Sequence, residues 1–252
     1  MVDLANGQHA GHANVTANAI QGATLIAEIV GALTRQGHMP TMWRGYAYAD
    51  GRAWGEKYFG KMQFHDDFRV PPLAAGELGG RFLKQIRFPI NRLRRQAELL
   101  RDASKLMADE VSAGRKVYVV WQGHMPPTYI GKREDSALAV AVELHPSLEQ
   151  QVEQYRKTVP DGALVLNLGY HGLDPIEAAL RREKKQRVIH MSGGHPDPAW
   201  QPGPEQLLRI DLGFAFGDAC VTVDGYPQRL FAPSGIAQVI AYEAIQVGLA
   251  QK

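Results

Sequence analysis

The sequence predicts an α/β fold: a three-layer sandwich around a mostly parallel open sheet of about five strands, preceded by an N-terminal helix and an irregular arm. Two observations predict it. Between residues 116 and 191, short apolar runs alternate with stretches of helical periodicity, and strands that alternate with helices pair in parallel through right-handed crossovers. The 252-residue chain is also 45% hydrophobic, enough for a sizeable core.

We divide the chain into an N-terminal region, residues 1–88, and an α/β domain, residues 89–252. A helix is predicted over residues 16–35, where apolar residues recur at helical spacing and Gly37 follows as a stop signal. Residues 38–80 are rich in glycine and aromatic residues and show no sustained period. We expect this long irregular arm to cover a site or a partner subunit.

The α/β domain is predicted to begin with a long helix after Pro89, because apolar residues form one stripe from residue 91 to the stop signal at Gly114. The following strands are short apolar runs, and the helices between them have a 3.6-residue period. The predicted elements are helix 91–113, strand 116–121, strand 137–144, helix 147–158, strand 163–168, helix 175–185, strand 187–191, strand 219–223 and helix 234–249.

Charge and cysteine content restrict the classes of function. With 28 basic and 26 acidic residues the net charge is only +2, which gives no electrostatic reason to expect nucleic acid as a partner. Cys220 is the single cysteine, so neither an internal disulfide nor a thiolate metal site is expected. We also expect no cofactor, no other metal site and no membrane-spanning segment, and we place the protein in the cytoplasm.

Residues 163–180, ALVLNLGYHGLDPIEAAL, have the layout of a strand, a glycine-containing loop and a helix. Such a layout suits an anion, because glycines let backbone N–H groups face a ligand and the helix N-terminus carries a positive dipole end. The loop from Asn167 to Gly172 nevertheless has no serine or threonine. It is therefore built like a phosphate site but is chemically altered.

The stretch from Asn91 to Gly248 resembles the sugar isomerase (SIS) domain family. The resemblance is carried by a long helix before KVYVVWQGH, by the units that follow, and by GDACVTVDG and APSGIAQVIAYEAI near the end. It implies a phosphosugar at the carboxyl ends of the strands, a closing helix that begins after a loop carrying Ser or Thr, pairing into a homodimer or higher homo-oligomer, and aldose-ketose isomerisation as a reaction of the fold.

The chain departs from the family pattern in three places. The loop after the first predicted strand of the domain offers the amide of Gln122 and the imidazole of His124, and its first hydroxyl is Thr128. In the loop after strand 163–168, Leu168 stands where the family usually has a serine next to the glycine. The closing helix has no histidine, although it carries Glu243. These departures leave the isomerase reaction open.

Isomerisation requires a base that takes a proton from the carbon beside a carbonyl, and a second group that polarises the oxygen. His124 and His171 follow strand ends, where ligands of open α/β sheets bind, and with Glu243 they are the candidate catalytic residues. Each of the three also has a non-catalytic interpretation. His124 and His171 are then loop histidines bonded to backbone or water, and Glu243 is a solvated or ion-paired residue. The candidate substrate-binding residues are Gln122, Gly123, Thr128, Asn167, Gly169, Ser192 and Ser234.

Ser234 has an alternative role as the N-cap of the closing helix.

Two functions follow from the sequence and stay open. The first is binding of a sugar phosphate or related carbohydrate derivative, with or without aldose-ketose isomerisation, by a protein whose partners include neither nucleic acid nor membrane. The second is a non-catalytic regulatory or scaffolding role in which the sugar-phosphate site is a vestige.

Overall fold

The structure is a computed structural model that describes residues 2–3, 9–10, 13–45, 48–121, 139–142, 148–170, 179, 181–194 and 206–250. Its helices are α1 (Ala13–Arg35), α2 (Gly51–Tyr58), α3 (Glu77–Arg95), α4 (Ala97–Ser112), α5 (Leu148–Thr158) and α6 (Ser234–Ala250). Its strands are β1 (Val2–Asp3), β2 (His9–Ala10), β3 (Met39–Pro40), β4 (Phe64–His65), β5 (Val117–Trp121), β6 (Ala139–Val142), β7 (Leu164–Leu168), β8 (Arg187–Ser192) and β9 (Gln206–Asp211). Residues 179 and 181–183 are also helical.

The main sheet has five strands in the order β6-β5-β7-β8-β9, and every neighbouring pair is parallel. Each carboxyl end therefore lies at the same edge of the sheet, which we call the carboxyl edge. Two short antiparallel pairs, β1 with β2 and β3 with β4, lie outside this sheet. The predicted α/β fold with a parallel sheet of about five strands is confirmed.

Alternate residues of the central strands pack against helices on opposite faces of the sheet. Val119 and Leu166 belong to a core that also contains Met107 of α4 and Ile245 of α6. Their neighbours Val120 and Val165 pack instead with Tyr155 of α5 and with Val159, which directly follows that helix. Both faces of the strands are covered, which explains their nearly continuous apolar sequences.

A second core joins the N-terminal region to the α/β domain. It contains Ala27 of α1, Phe82 of α3 and Val221 and Ile236 from the C-terminal part of the chain. The Glu28 carboxylate accepts hydrogen bonds from two N–H groups at the start of α3, Gly76 at 2.7 Å and Gly79 at 2.8 Å. A carboxylate stabilises a helix N-terminus, so Glu28 fastens α1 to α3.

Helix α1 presents an apolar face to solvent. Leu25 is 62%, Ile26 51% and Ile29 50% exposed. The segment Val15–Arg35 is long and apolar enough to cross a membrane by length and composition, which corrects the sequence expectation that no segment reaches that threshold. A core helix and an N-terminal signal pass the same test, and the packing of α1 on α3 is compatible with a soluble protein.

The arm is fastened by hydrogen bonds around His65, whose side chain is fully buried. The oxygen of Tyr226 accepts from the Met42 N–H and from Gln228, each at 3.3 Å. Its O–H is therefore left to donate to Nε2 of His65, at 3.1 Å, and Nδ1 of the same ring donates to Asp67 at 3.0 Å. This network ties β4 to the loop that precedes α6.

Several predicted elements are corrected. The helix predicted over residues 91–113 is two helices, α3 and α4, which meet at Gln96, and Pro89 lies inside α3 instead of before it. The strand predicted over residues 219–223 is only a single bridge between Val221 and Leu230. The edge strand β9 was not predicted.

The arm predicted to be irregular contains α2 and the β3–β4 pair, and α3 already begins at Glu77. The proposed division between residues 88 and 89 falls inside α3, and the division stays a prediction.

Candidate functional site

The sequence predicts the site at the carboxyl edge. Of the predicted site residues that the structure describes, Asn167 of β7 comes first along the chain. Asn167 is buried, and its amide bonds to two other buried side chains. Arg181 donates to its oxygen at 2.9 Å, and its nitrogen lies 2.9 Å from Nδ1 of His190 on β8. Burial, and then the charges of Arg181 and Arg209, lower the pKa of His190 to about 3. His190 is therefore neutral and accepts a hydrogen bond from the Asn167 nitrogen. The Asn167 amide thus bonds buried side chains of the protein and not a ligand at the edge.

Three glycines of the edge use their N–H groups within the backbone. Gly169 donates to the Met191 carbonyl, Gly193 to the Tyr170 carbonyl and Gly194 to the Phe214 carbonyl, each at 2.7 Å. These bonds extend the strand pairing beyond the strand ends. As a result, these three N–H groups are not aimed at a ligand in the way the sequence suggested.

Ser192 ends β8 and is 1% exposed. Its hydroxyl has no hydrogen-bond partner among the described residues, and its carbonyl accepts from Leu212 at 2.9 Å. Ser192 therefore lies at the predicted edge but beneath its surface.

The N-terminus of α6 is occupied by a carboxylate of the same chain. One oxygen of Asp218 accepts from the Ser234 N–H at 2.9 Å, and the other accepts from the Ser234 hydroxyl at 2.5 Å. Asp218 adopts a left-handed backbone conformation with φ 49°, next to Gly217 with φ 91°. Such a conformation is uncommon outside glycine, and asparagine and aspartate tolerate it best. The turn directs the carboxylate to the helix end.

Tyr170 reaches the same place from the end of β7. Burial, and then the negative charge of Asp218, raise the pKa of the Tyr170 phenol, while a hydrogen bond with Ser234 lowers it. Tyr170 and Asp218 are half-buried. A phenol, a carboxylate and a hydroxyl thus converge at the start of α6.

Glu243 lies elsewhere on α6. It follows Ser234 by nine residues, which at 1.5 Å per residue separates the two by about 13 Å along the helix. Glu243 is half-buried, and the structure does not bring it to the group formed by Tyr170, Asp218 and Ser234.

Five of the predicted site residues lie outside the described residues: Gln122, Gly123, His124, Thr128 and His171. Their assignment stays a prediction. Among the residues that are described, no group of three or more His, Cys, Asp or Glu side chains is placed to hold a metal ion.

Asp218 and Tyr170 were not among the predicted site residues. Tyr170 lies in the predicted glycine loop and could have been chosen by its position. The contact of Asp218 with Ser234 spans sixteen residues and depends on the turn at Gly217, so the only local signal was the Gly-Asp pair that begins GDACVTVDG.

No protein-family model matches the sequence, and no curated protein matches it. The SIS likeness therefore remains a resemblance.

Proposed function

We propose that the carboxyl edge binds an uncharged carbohydrate derivative and that Asp218 keeps phosphorylated sugars out. The observation that carries the proposal is the double hydrogen bond from Ser234 to the Asp218 carboxylate. It narrows the sequence-based expectation of a sugar phosphate or related carbohydrate derivative.

Uncharged sugars are favoured over sugar phosphates because of the negative charge on Asp218. A helix N-terminus attracts a phosphate because its N–H groups and dipole favour negative charge. Here Asp218 already supplies that charge, and a second anion beside it would be repelled. The N–H groups of Gly169, Gly193 and Gly194 donate to backbone carbonyls, so they do not offset the repulsion between Asp218 and a phosphate.

The same groups suit sugar hydroxyls. A carboxylate accepts up to about four hydrogen bonds, and a phenol both donates and accepts. Asp218 and Tyr170 keep part of their surface accessible, and an aromatic ring is well suited to the apolar face of a sugar.

Isomerisation is not part of the proposal. It needs an acid and a base that reach the same substrate, and Glu243 lies about nine residues beyond the helix end where Tyr170, Asp218 and Ser234 meet. His124 and His171 stay candidate contacts to the sugar.

The test is thermal unfolding with hexoses, pentoses and heptuloses at millimolar concentration, each beside its phosphate. A ligand at about 100 times its Kd stabilises a fold by about 2.7 kcal/mol, a shift of several degrees. We expect shifts with one or more neutral sugars and none with the phosphates. Tyr170→Phe should weaken sugar binding several-fold, whereas Tyr118→Phe, which removes a hydroxyl near the amino end of β5, should not.

Shifts with the phosphates alone would overturn the proposal. The absence of any shift would favour the alternative, a non-catalytic regulatory or scaffolding protein with a vestigial site. Burial of Ser192 and the backbone bonds of the three glycines are the observations that favour this alternative.

The proposal places the protein in the cytoplasm as a homodimer or higher homo-oligomer. The exposed apolar face of α1 supports self-association, because apolar patches of this kind mark interaction surfaces. Light scattering after gel filtration measures the oligomeric state, and a monomer at micromolar concentration would contradict this part.

A further inference from the structure

A cleft of about 220 Å³ opens between α3 and the loops that follow β9. Gln85, Phe88 and Pro89 of α3 form one wall, and residues 213–215, 219–220, 229 and 233 form the other. The volume lies between that of an engineered cavity that holds benzene, 150 Å³, and the pockets of drug-sized ligands, about 300 Å³ and above. It suits a single ring with one small substituent.

The lining is mainly apolar. Phe88 and Phe214 contribute rings, and Pro89, Pro233 and Ala219 contribute aliphatic surface. Phe88 is 59% exposed although it is a large aromatic residue. An exposed ring beside an open apolar cleft indicates a surface that gains from contact with an apolar ligand.

One charged side chain among the described residues lines the cleft, and it is positive. Arg229 lines it, and this exposed guanidinium makes no hydrogen bond or ion pair with another described residue. Helix α3, which forms the opposite wall, contributes only uncharged side chains to the lining, so Arg229 is not neutralised from that side. A guanidinium binds a carboxylate through two parallel N–H groups.

A singly charged ligand fits better than a doubly charged one. Cys220 lies in the cleft; burial and then the negative charge of Asp218 raise the pKa of its thiol, and the charge of Arg229 lowers it by less. The Asp218 carboxylate therefore lies close enough to oppose a second negative charge.

We propose that this cleft binds a small monocarboxylate with an aromatic or branched apolar body, the ring on Phe88 and the carboxylate on Arg229. This is a second site beside the carbohydrate site, and it uses neither Tyr170 nor Ser234. Either proposal can therefore fail while the other stands.

The test is isothermal titration calorimetry with three probes that share a benzyl group: phenylacetate, neutral phenylacetamide, and benzylphosphonate in an alkaline buffer in which the phosphonate is doubly charged. We expect phenylacetate to bind with a Kd of about 1 mM or tighter, which the number of non-hydrogen atoms in this ligand allows. Phenylacetamide and benzylphosphonate should bind at least tenfold more weakly.

Arg229→Gln should bring the affinity for phenylacetate down to that of the amide, and Arg229→Lys should restore part of it. Ala215→Leu, which adds bulk to a partly open wall, should weaken both ligands. Lys116→Gln removes one positive charge at the amino end of β5 and should change nothing. Thermal unfolding verifies that each variant is folded. Equal binding of acid and amide, wild-type affinity in folded Arg229→Gln, or no saturation by phenylacetate at 20 times the expected Kd would each overturn the proposal.

Discussion

Asp218 caps helix α6 through Ser234, with one carboxylate oxygen on the backbone N–H and the other on the hydroxyl. The two residues are sixteen positions apart, and the left-handed turn at Asp218 brings them together. A position that would otherwise attract an external anion is thereby filled by the chain itself.

Asp218→Asn should destabilise the fold by about 1 kcal/mol, because the amide tolerates the left-handed backbone but lacks the charge that favours the helix end. The melting temperature should fall by about 2 to 4 °C. Asp224→Asn, at an exposed position in the next turn, is the matched control and should change it little. In a double-mutant cycle with Ser234→Ala we expect clear non-additivity; strictly additive losses would contradict the direct coupling.

Glu110 should make stability depend on acid pH. Its side chain is 4% exposed and bonds Arg115 and Arg187. Hydrogen bonds from Arg115 and then Arg187 lower the pKa of Glu110 from 4.5 to about 2. A depressed carboxyl pKa contributes stability that is present above the unfolded value and is lost as the pH falls through the folded value.

Glu110→Gln should therefore cost about 1 to 3 kcal/mol at pH 7, and the difference from the wild type should shrink as the pH falls from 4.5 towards 2. Urea unfolding at several pH values measures it. Glu98→Gln, which removes a carboxylate from an exposed pair with Arg101, should cost well under 1 kcal/mol. A Glu110→Gln difference that stays constant down to pH 2.5 would refute the assignment.

Tyr226→Phe should destabilise the arm by about 1 to 3 kcal/mol, because it removes the hydroxyl that serves the Met42 N–H, Gln228 and His65 together. Proteolysis within residues 38–70 should become faster, since that segment depends on the network. Tyr118→Phe is again the control. Unchanged proteolysis together with unchanged stability would mean that the network does not hold the arm.

Gly193→Ala should destabilise the fold through a clash, because a Cβ at this position would lie 2.3 Å from the Phe214 ring. Overpacking of this kind costs about 1 to 3 kcal/mol. Phe214→Leu makes room, so the double variant should be more stable than the sum of the two single losses predicts. Additive losses, measured by urea unfolding, would show that the ring is not the obstacle.

The elements that could be predicted are those whose own side chains determine them. The strands β5, β7 and β8 are short runs buried on both faces, and their bounds agree with the sequence prediction within one residue. Strand β9 pairs on one side only among the described strands and exposes Leu207, so its apolar pattern is weak.

The division between α3 and α4 could not be predicted because it depends on a distant contact. The Gln96 side chain donates to the Asp211 carbonyl at 2.7 Å and accepts from the Asp211 N–H at 2.9 Å. This replaces a backbone pairing at the end of β9, while the helical period of the sequence continues through Gln96 without interruption.

The same distinction applies to the candidate site. The carboxyl edge was predicted from topology alone, since parallel strands end together. Whether Asn167 and Ser192 face a ligand or the interior depends on Arg181, His190 and Leu212, which approach from other elements. Asp218 was missed for the same reason.

Titration calorimetry of the wild type and of Asp218→Asn with one hexose and its 6-phosphate tests the central claim most directly. We predict that the wild type binds the hexose more tightly than its phosphate, and that Asp218→Asn gains at least tenfold in affinity for the phosphate because the competing charge is gone. Tighter binding of the phosphate by the wild type, with no gain in Asp218→Asn, would contradict the account.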